Sequence, residues 1–295
     1  MIDYRLKTFL IAAEEQNLTR AGDILGLTQP AVSQHIKALE QYYGADLFEK
    51  KGRRLILTQA GEYLKKEGDS LEIHSGRVKR ELGDFDGGRR YFSIGATLTV
   101  GEFILPRFLG SYKKNHRNRE LEIRIGNTRC TLDELLHEKL DIAIVEGPFN
   151  RSTFSHELFI EDELVFITAP DSPWAEAPVI ELNKINQYPL ILRESGSGTR
   201  EYFELYLRNK DLYLQPASIV MEVGSLSAIK SLCESGMGCS VMSRRAAAKE
   251  LELGTLVERP FSGGPVIREL QFVYTEKSPQ VFVKEFISFC HRYAE

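Results

Sequence analysis

The chain has 295 residues, 42% hydrophobic and 27% charged, with 23 Gly and 11 Pro, which excludes the disordered, collagen-like and disulfide-framework classes and leaves room for two or three compact domains. No apolar run approaches the roughly 18 residues of a membrane span, and residues 1–7 lack an apolar signal core, so the sequence reads as cytoplasmic with no membrane partner. Net charge is −4, yet residues 1–90 hold 15 Lys and Arg against 14 Asp and Glu; the acidity lies further on, and the balance argues against a chain that coats nucleic acid nonspecifically. Cys130, Cys233, Cys239 and Cys290 form no CxxC pair and read as reduced thiols, and nothing implies a metal or cofactor.

From Ile2 to about Glu15, Leu6, Phe9, Leu10 and Ala13 share one helical face. A second helix is expected to start at a Thr19 cap, to bury Ala21, Ile24 and Leu25, and to stop at Gly26. Thr28 is the expected cap of a third helix with Pro30 in its first turn. There Val32, Ile36, Leu39 and Tyr43 fall on one side, which leaves Gln29, Ser33, Gln34 and Lys37 on the other. Amides and hydroxyls at the start of a helix suit the edges of bases in a major groove. Leu47-Phe48, the basic run Lys50-Lys51-Gly52-Arg53-Arg54 and Leu55-Ile56-Leu57 read as two short strands joined by a positive loop, a wing placed to meet phosphates. By pattern alone a DNA reader and a solvated basic tip both remain open.

The order of residues adds more. Asn17-Leu-Thr-Arg-Ala-Gly-Asp-Ile-Leu25, Leu27-Thr-Gln-Pro-Ala-Val-Ser-Gln-His-Ile-Lys-Ala-Leu-Glu40, Gly44, Leu47-Phe48 and Leu57-Thr-Gln-Ala-Gly61 together resemble the DNA-binding domain of LysR-type transcriptional regulators, without a gap from residue 2 to about 61. Two positions depart from that family's pattern. Gly22 stands where a second alanine is usual, at a helical cost of roughly 1 kcal/mol, and Lys50 stands where arginine is common. The resemblance implies a sequence-specific transcription regulator that binds double-stranded promoter DNA through Thr19, Arg20, Thr28, Gln29, Pro30, Ser33, Gln34, Lys37, Arg53 and Arg54. RNA polymerase is a further candidate partner.

Residues 58–85 lack proline and place Leu64, Leu71, Val78 and Phe85 seven apart, with Gly61, Gly68 and Ser75 on the same spacing. This predicts a long linker helix whose narrow seam pairs with a second copy, giving a homodimer or, as the family commonly forms, a homotetramer. Gly87-Gly88 reads as a hinge. The expected domains are a winged helix-turn-helix over 1–58, a linker helix and hinge over 59–90, and an effector domain over 91–295.

Beyond the hinge, short apolar runs at Tyr91–Ile94, Leu121–Ile125, Asp141–Val145, Leu164–Ile167, Leu190–Leu192, Ile219–Val223 and Leu270–Tyr274 alternate with helical patterns, which argues for an α/β fold with parallel sheets covered by helices. The resemblance implies two subdomains like those of periplasmic binding proteins, about 91–164 with 268–295 and about 165–267, joined by crossover strands around a cleft. Ligands of open α/β sheets lie beyond strand carboxyl ends, near helix N-termini that favour anions. Gly95-Ala-Thr-Leu-Thr99, Glu194-Ser-Gly-Ser-Gly-Thr199 and Gly224-Ser225 fit such places. Thr97, Thr99, Thr128, Ser195, Ser197 and Thr199 are therefore the candidate residues for a small anionic effector, with Arg193 and Arg200 beside them but expected to face solvent.

Catalysis is not indicated. Ser195-Gly-Ser197-Gly198 lacks the leading glycine of a nucleophile elbow, His137-Glu138 has no second histidine at zinc spacing, and no phosphate loop appears. The alternative within the same fold is a thiol redox sensor built on Cys233 and Cys239. Cys233 sits in the apolar helix pattern Ala228-Ile-Lys-Ser-Leu-Cys, which reads instead as core.

Overall fold

Short polar side chains fix where the first three helices begin. In the computed structural model, which describes residues 2–51, 54–84 and 90–294, Asp3 accepts from the Arg5 amide and opens α1 (Tyr4–Glu15). Asn17 accepts from the amides of Thr19 and Arg20 and opens α2 (Leu18–Leu25). Thr28 accepts from Ala31 at the head of α3 (Gln29–Tyr43). The cap of α2 is thus Asn17 rather than Thr19, since an asparagine just ahead of the helix satisfies two free amides at once. Gly26 at φ 66° and Gly44 at φ 67° close α2 and α3 in the left-handed conformation that glycine adopts without strain.

Phe9, Leu10, Ala13, Leu39 and Leu47 form one buried cluster, and Ala12, Ala21, Val32 and Ile36 form another. The expected stripe of α2 needs correction. It packs through Leu18, Ala21 and Gly22, which turns Ile24 off the contact face and leaves it 59% exposed. A Cβ on Gly22 would meet the Leu27 carbonyl at 2.6 Å, so this glycine trades helix propensity for a close turn. Tyr43, expected on the inner side of α3, is likewise half exposed.

Strands β1 (Phe48–Lys51) and β2 (Arg54–Leu57) pair antiparallel, and the Leu47 amide donates to Glu40, tying them to α3. Arg53 lies outside the described residues, and of Arg54 only its place at the head of β2 is described. Helix α4 (Gln59–Asp84) follows. The expected glycine seam divides: a Cβ on Gly61 would lie 2.1 Å from the Leu47 carbonyl, and one on Gly68 3.0 Å from Leu10. These glycines admit α4 to its own helices, where Leu64 joins the first cluster. Leu71, Val78 and Leu82 further along are exposed. Phe85 and the Gly87-Gly88 hinge lie outside the described residues.

The second compact unit runs Tyr91–Glu295. Its elements are β3 (Arg90–Thr97), α5 (Leu105–Asn115), β4 (Arg119–Gly126), α6 (Thr128–Leu136), β5 (Ile142–Glu146), β6 (Ser155–Thr168), β7 (Leu190–Leu192), α7 (Gly198–Arg208), β8 (Ile219–Glu222), α8 (Leu226–Glu234), β9 (Ser240–Ser243), α9 (Arg244–Leu253), β10 (Val257–Arg259), β11 (Val266–Tyr274) and α10 (Gln280–Ala294). A π-helical turn, Val100–Ile104, leads into α5. Strand order is β10-β6-β11-β5-β3-β4, with β9 also on β6, while β7 and β8 pair separately.

The parallel expectation holds for β3 with β5 and β7 with β8. It fails for the two long strands: β6 and β11 run antiparallel along their length, and β11 is antiparallel to β5. One end of this pair carries a core that includes Ile94, Ile144, Phe272 and Phe286. The other carries cores that include Phe166, Leu190 and Phe203, and Ile191, Ile229 and Met242. Two lobes thus share one antiparallel ribbon as their connection. The sequence pattern missed β9, α9 and β10, which lie in the second lobe.

Candidate functional site

On the first unit, α3 turns Val32, Ile36 and Leu39 inward. Gln29, Pro30, Gln34 and Lys37 are exposed and Ser33 is half-buried, with Thr28 beside them and Thr19 and Arg20 exposed on α2. His35, at the edge of this face, is held by the Thr8 hydroxyl at 3.0 Å and by the edge of the Tyr4 ring. The expected DNA-reading residues for which side chains are described are thus all exposed or half-buried. The wing cations cannot be placed with them, because their side chains lie outside the described set.

In the second unit the expected effector residues converge on one carboxylate. Glu146 ends β5 and is 2% exposed. The Thr97 hydroxyl, at the end of β3, donates to one of its oxygens, and the Thr199 hydroxyl, in the first turn of α7, donates to the other at 3.4 Å. The first lobe supplies Thr97 and the second supplies Thr199. Thr128 donates to the Glu146 backbone carbonyl at 2.8 Å. Gly198 sits so close that a Cβ there would lie 2.0 Å from the Glu146 carbonyl and 2.3 Å from the Thr128 hydroxyl.

Arg268, on β11 and 1% exposed, completes the group. Its Nη1 donates to the Thr199 hydroxyl at 2.8 Å and lies 3.8 Å from Glu146. Its Nε donates to Asp162 of β6 at 2.9 Å, and Ser243 donates to the other Asp162 oxygen. Two buried carboxylates thus share one guanidinium, and the threonines supply the hydrogen bonds that a buried charge requires. Sequence reasoning missed Glu146, Asp162 and Arg268. A charged residue closing the apolar run from Asp141 to Val145 marks Glu146; nothing local marks the other two.

Two helical starts border this group. Thr99, itself helical in the turn that begins at Leu98, and Ser197, the residue ahead of α7, make no capping hydrogen bond. Ser197 is 1% exposed and its hydroxyl has no partner among the described residues. Free amides and hydroxyls at helix N-termini favour anionic oxygens. Ser195 is exposed on the turn before α7, outside the buried network.

Arg193 and Arg200 do not face solvent as expected. Arg193 is 3% exposed and pairs with Glu194 at 2.8 Å; burial pushes the Glu194 carboxyl up, but the guanidinium outweighs it and holds the group below the usual range. Glu194 also accepts from Asn127, the cap of α6, at 3.3 Å. Arg200 is paired with Glu204 and Glu222. Cys233 and Cys239 are fully buried. Burial pushes the Cys233 thiol up to about 12 and raises Cys239 as well, the opposite of a reactive thiolate.

Comparison with known proteins places both units. Residues 4–62 match the family model of bacterial regulatory helix-turn-helix proteins of the lysR family, and residues 85–295 match the LysR substrate binding domain. The HTH-type transcriptional regulator YeiE of Escherichia coli strain K12 is 31% identical over 287 residues, covering 97% of this chain and 96% of that one. The HTH-type transcriptional regulator CysL of Bacillus subtilis strain 168 is 30% identical over 287 residues, 94% of each chain. The crystal structure of CbnR, a LysR family transcriptional regulator, covers 100% of both chains with a TM-score of 0.78 at 17% identity. These relatives are regulators, not enzymes, and no helix among the described residues is long and apolar enough to cross a membrane. The chain belongs to the LysR family of DNA-binding transcription regulators, with a helix-turn-helix domain followed by an effector-binding domain.

Proposed function

We propose that this regulator is controlled by a small anionic effector, bound where Thr97 and Thr99 of one lobe face Ser197 and Thr199 of the other. The carrying observation is that hydroxyls from both lobes already hold one carboxylate, that of Glu146. The donors that hold it suit any anionic oxygen, and the Ser197 hydroxyl at the N-terminus of α7 and the Thr99 hydroxyl in the first helical turn after β3 add to them. An effector anion takes these donors from Glu146. The shift alters how the lobes close and biases the regulator between its DNA-bound arrangements by the difference in affinity for the two. Thr128 supports the wall through the Glu146 backbone, and Ser195 contributes from the rim.

On the first unit, Gln29, Ser33 and Gln34 read base edges, while Thr19, Arg20, Thr28, Pro30 and Lys37, with Arg53 and Arg54 of the wing, position the protein on the phosphates of promoter DNA. Two copies joined along the exposed Leu71 and Val78 stripe of α4 present paired α3 helices to half-sites about one helical turn, or a multiple of it, apart. Assembly into a dimer or tetramer, cytoplasmic location and contact with RNA polymerase follow from this reading.

The experiment is a gel shift of the full chain on promoter and random DNA. Ser33→Ala and Gln34→Ala are expected to narrow the gap between the two, whereas Arg53→Ala weakens both and flattens the salt dependence. Thr97→Val and Ser197→Ala should leave promoter affinity intact and abolish its response to the effector. Equal losses on both DNAs for the two reading variants, as for Arg53→Ala, or an effector response that survives both cleft changes, would refute the assignment.

A further inference from the structure

Beside the Arg268 network, a cavity of about 480 Å3 opens against β11, α7 and the loop after β5. None of Thr97, Thr99, Ser197 and Thr199 lines it; Arg268 is the residue it shares with that network. Its apolar walls include Phe149, Tyr202 and Leu205, an area suited to the face of one ring.

Its polar lining holds one anomaly. Gln271 is 5% exposed, and its Nε2 donates to Glu269 at 2.6 Å. Its Oε1 is buried with no hydrogen-bond partner among the described residues. Turning the amide over would set that oxygen against the Glu269 carboxylate, so the observed orientation is the favourable one. A buried carbonyl left without a donor is costly and rare in native proteins, and here it belongs to a residue lining a cavity.

The charged residues that line the cavity balance, Arg151 and Arg268 against Glu161 and Glu269, and Arg151 lies 3.4 Å from Glu269. Such a lining repays neither a net anion nor a net cation for its desolvation. We propose that this cavity is a second ligand site, distinct from the cleft, for a small uncharged ring compound bearing an N–H or O–H donor that meets Gln271 Oε1. The ligand packs beside Arg268. Through the Arg268 bond to Thr199, its presence biases the contact between the lobes, so the regulator answers to two chemically different small molecules.

Saturation-transfer NMR on the full chain, with indole, phenol and benzamide as ring-plus-donor probes and benzoate and sulfate as charged ones, tests this directly. Wild type is expected to give transfer to at least one of the first three and little to the last two. Leu205→Trp, which fills the cavity from a half-buried position, abolishes it. Gln271→Met, which removes the acceptor and keeps the shape, weakens it about tenfold. Ser197→Ala alters the cleft alone and leaves it unchanged, which separates this site from the anion site. Failure of all three ring probes to bind, transfer that persists in both cavity variants, or equal transfer to benzoate would overturn the proposal.

Discussion

Gly198→Ala tests the close approach on which the cleft depends. A methyl there would lie 2.0 Å from the Glu146 carbonyl and 2.3 Å from the Thr128 hydroxyl, more than 1 Å inside an ordinary carbon to oxygen contact of about 3.3 Å. The Glu146 oxygen is backbone and cannot rotate away, so α7 or the end of β5 must move. Overpacking of this kind costs about 1–3 kcal/mol. Loss of chain entropy in the unfolded state returns about 0.4–1 kcal/mol, leaving a net loss of about 1–2 kcal/mol. For a unit of this size the melting temperature should fall by about 2–8 °C. Gly110→Ala is the paired control. It lies inside α5 with nothing within 4 Å of a new methyl, so the same change should stabilise by about 0.5–1 kcal/mol. Circular dichroism melts of both variants check the signs. An unchanged or raised melting point for Gly198→Ala, with Gly110→Ala behaving as a control, would refute the close packing of the two lobes at Glu146.

Three further outcomes follow from the same geometry. Arg268→Met removes the guanidinium shared by Asp162 and Glu146 and should cost about 3–5 kcal/mol in chemical denaturation, because it strands buried carboxylates; a cost under about 1 kcal/mol would show the network to be slack. Iodoacetamide at pH 8 should label the native chain at exposed Cys130 and spare Cys233, Cys239 and Cys290, which are buried. Burial pushes Cys233 and Cys290 up to about 12, so they hold their protons throughout the neutral range, and peptide mapping before and after denaturation reads the difference. Leu71→Asp with Val78→Asp changes two exposed positions of α4 and should convert the assembly to monomers in sedimentation without lowering helix content; an unchanged sedimentation coefficient would remove α4 as the joining surface.

The legible parts of the fold were those written in local chemistry. Thr28 and Gly26 act at the caps and stops their residue types predict, and the apolar runs of β3, β5 and β7 fall where the pattern put them. Ser240–Ser243 escaped because a four-residue strand buried on both faces has no alternation to read. Ile24 is exposed against expectation because small Ala21 and Gly22, not the larger side chain, define the contact edge of α2. The same limit applies at the site. Threonines at strand ends and helix starts were visible as candidates. Glu146 is marked as a charge closing an apolar run, but its place between them arises only where β3, β5 and α7 meet, and Arg268 and Asp162 pair across 106 positions of sequence, beyond any local signal.

The most direct test of the account is the affinity of small carboxylates and oxyanions for the full chain and for Glu146→Gln, read by calorimetry. A like charge about 5 Å from the bound anion, at an effective dielectric of about 20, opposes binding by roughly 3 kcal/mol. Glu146→Gln should therefore tighten binding by at least about tenfold, while Ser197→Ala weakens it. Anion affinity that is unchanged or lower in Glu146→Gln would contradict the claim that the effector takes the place of this carboxylate.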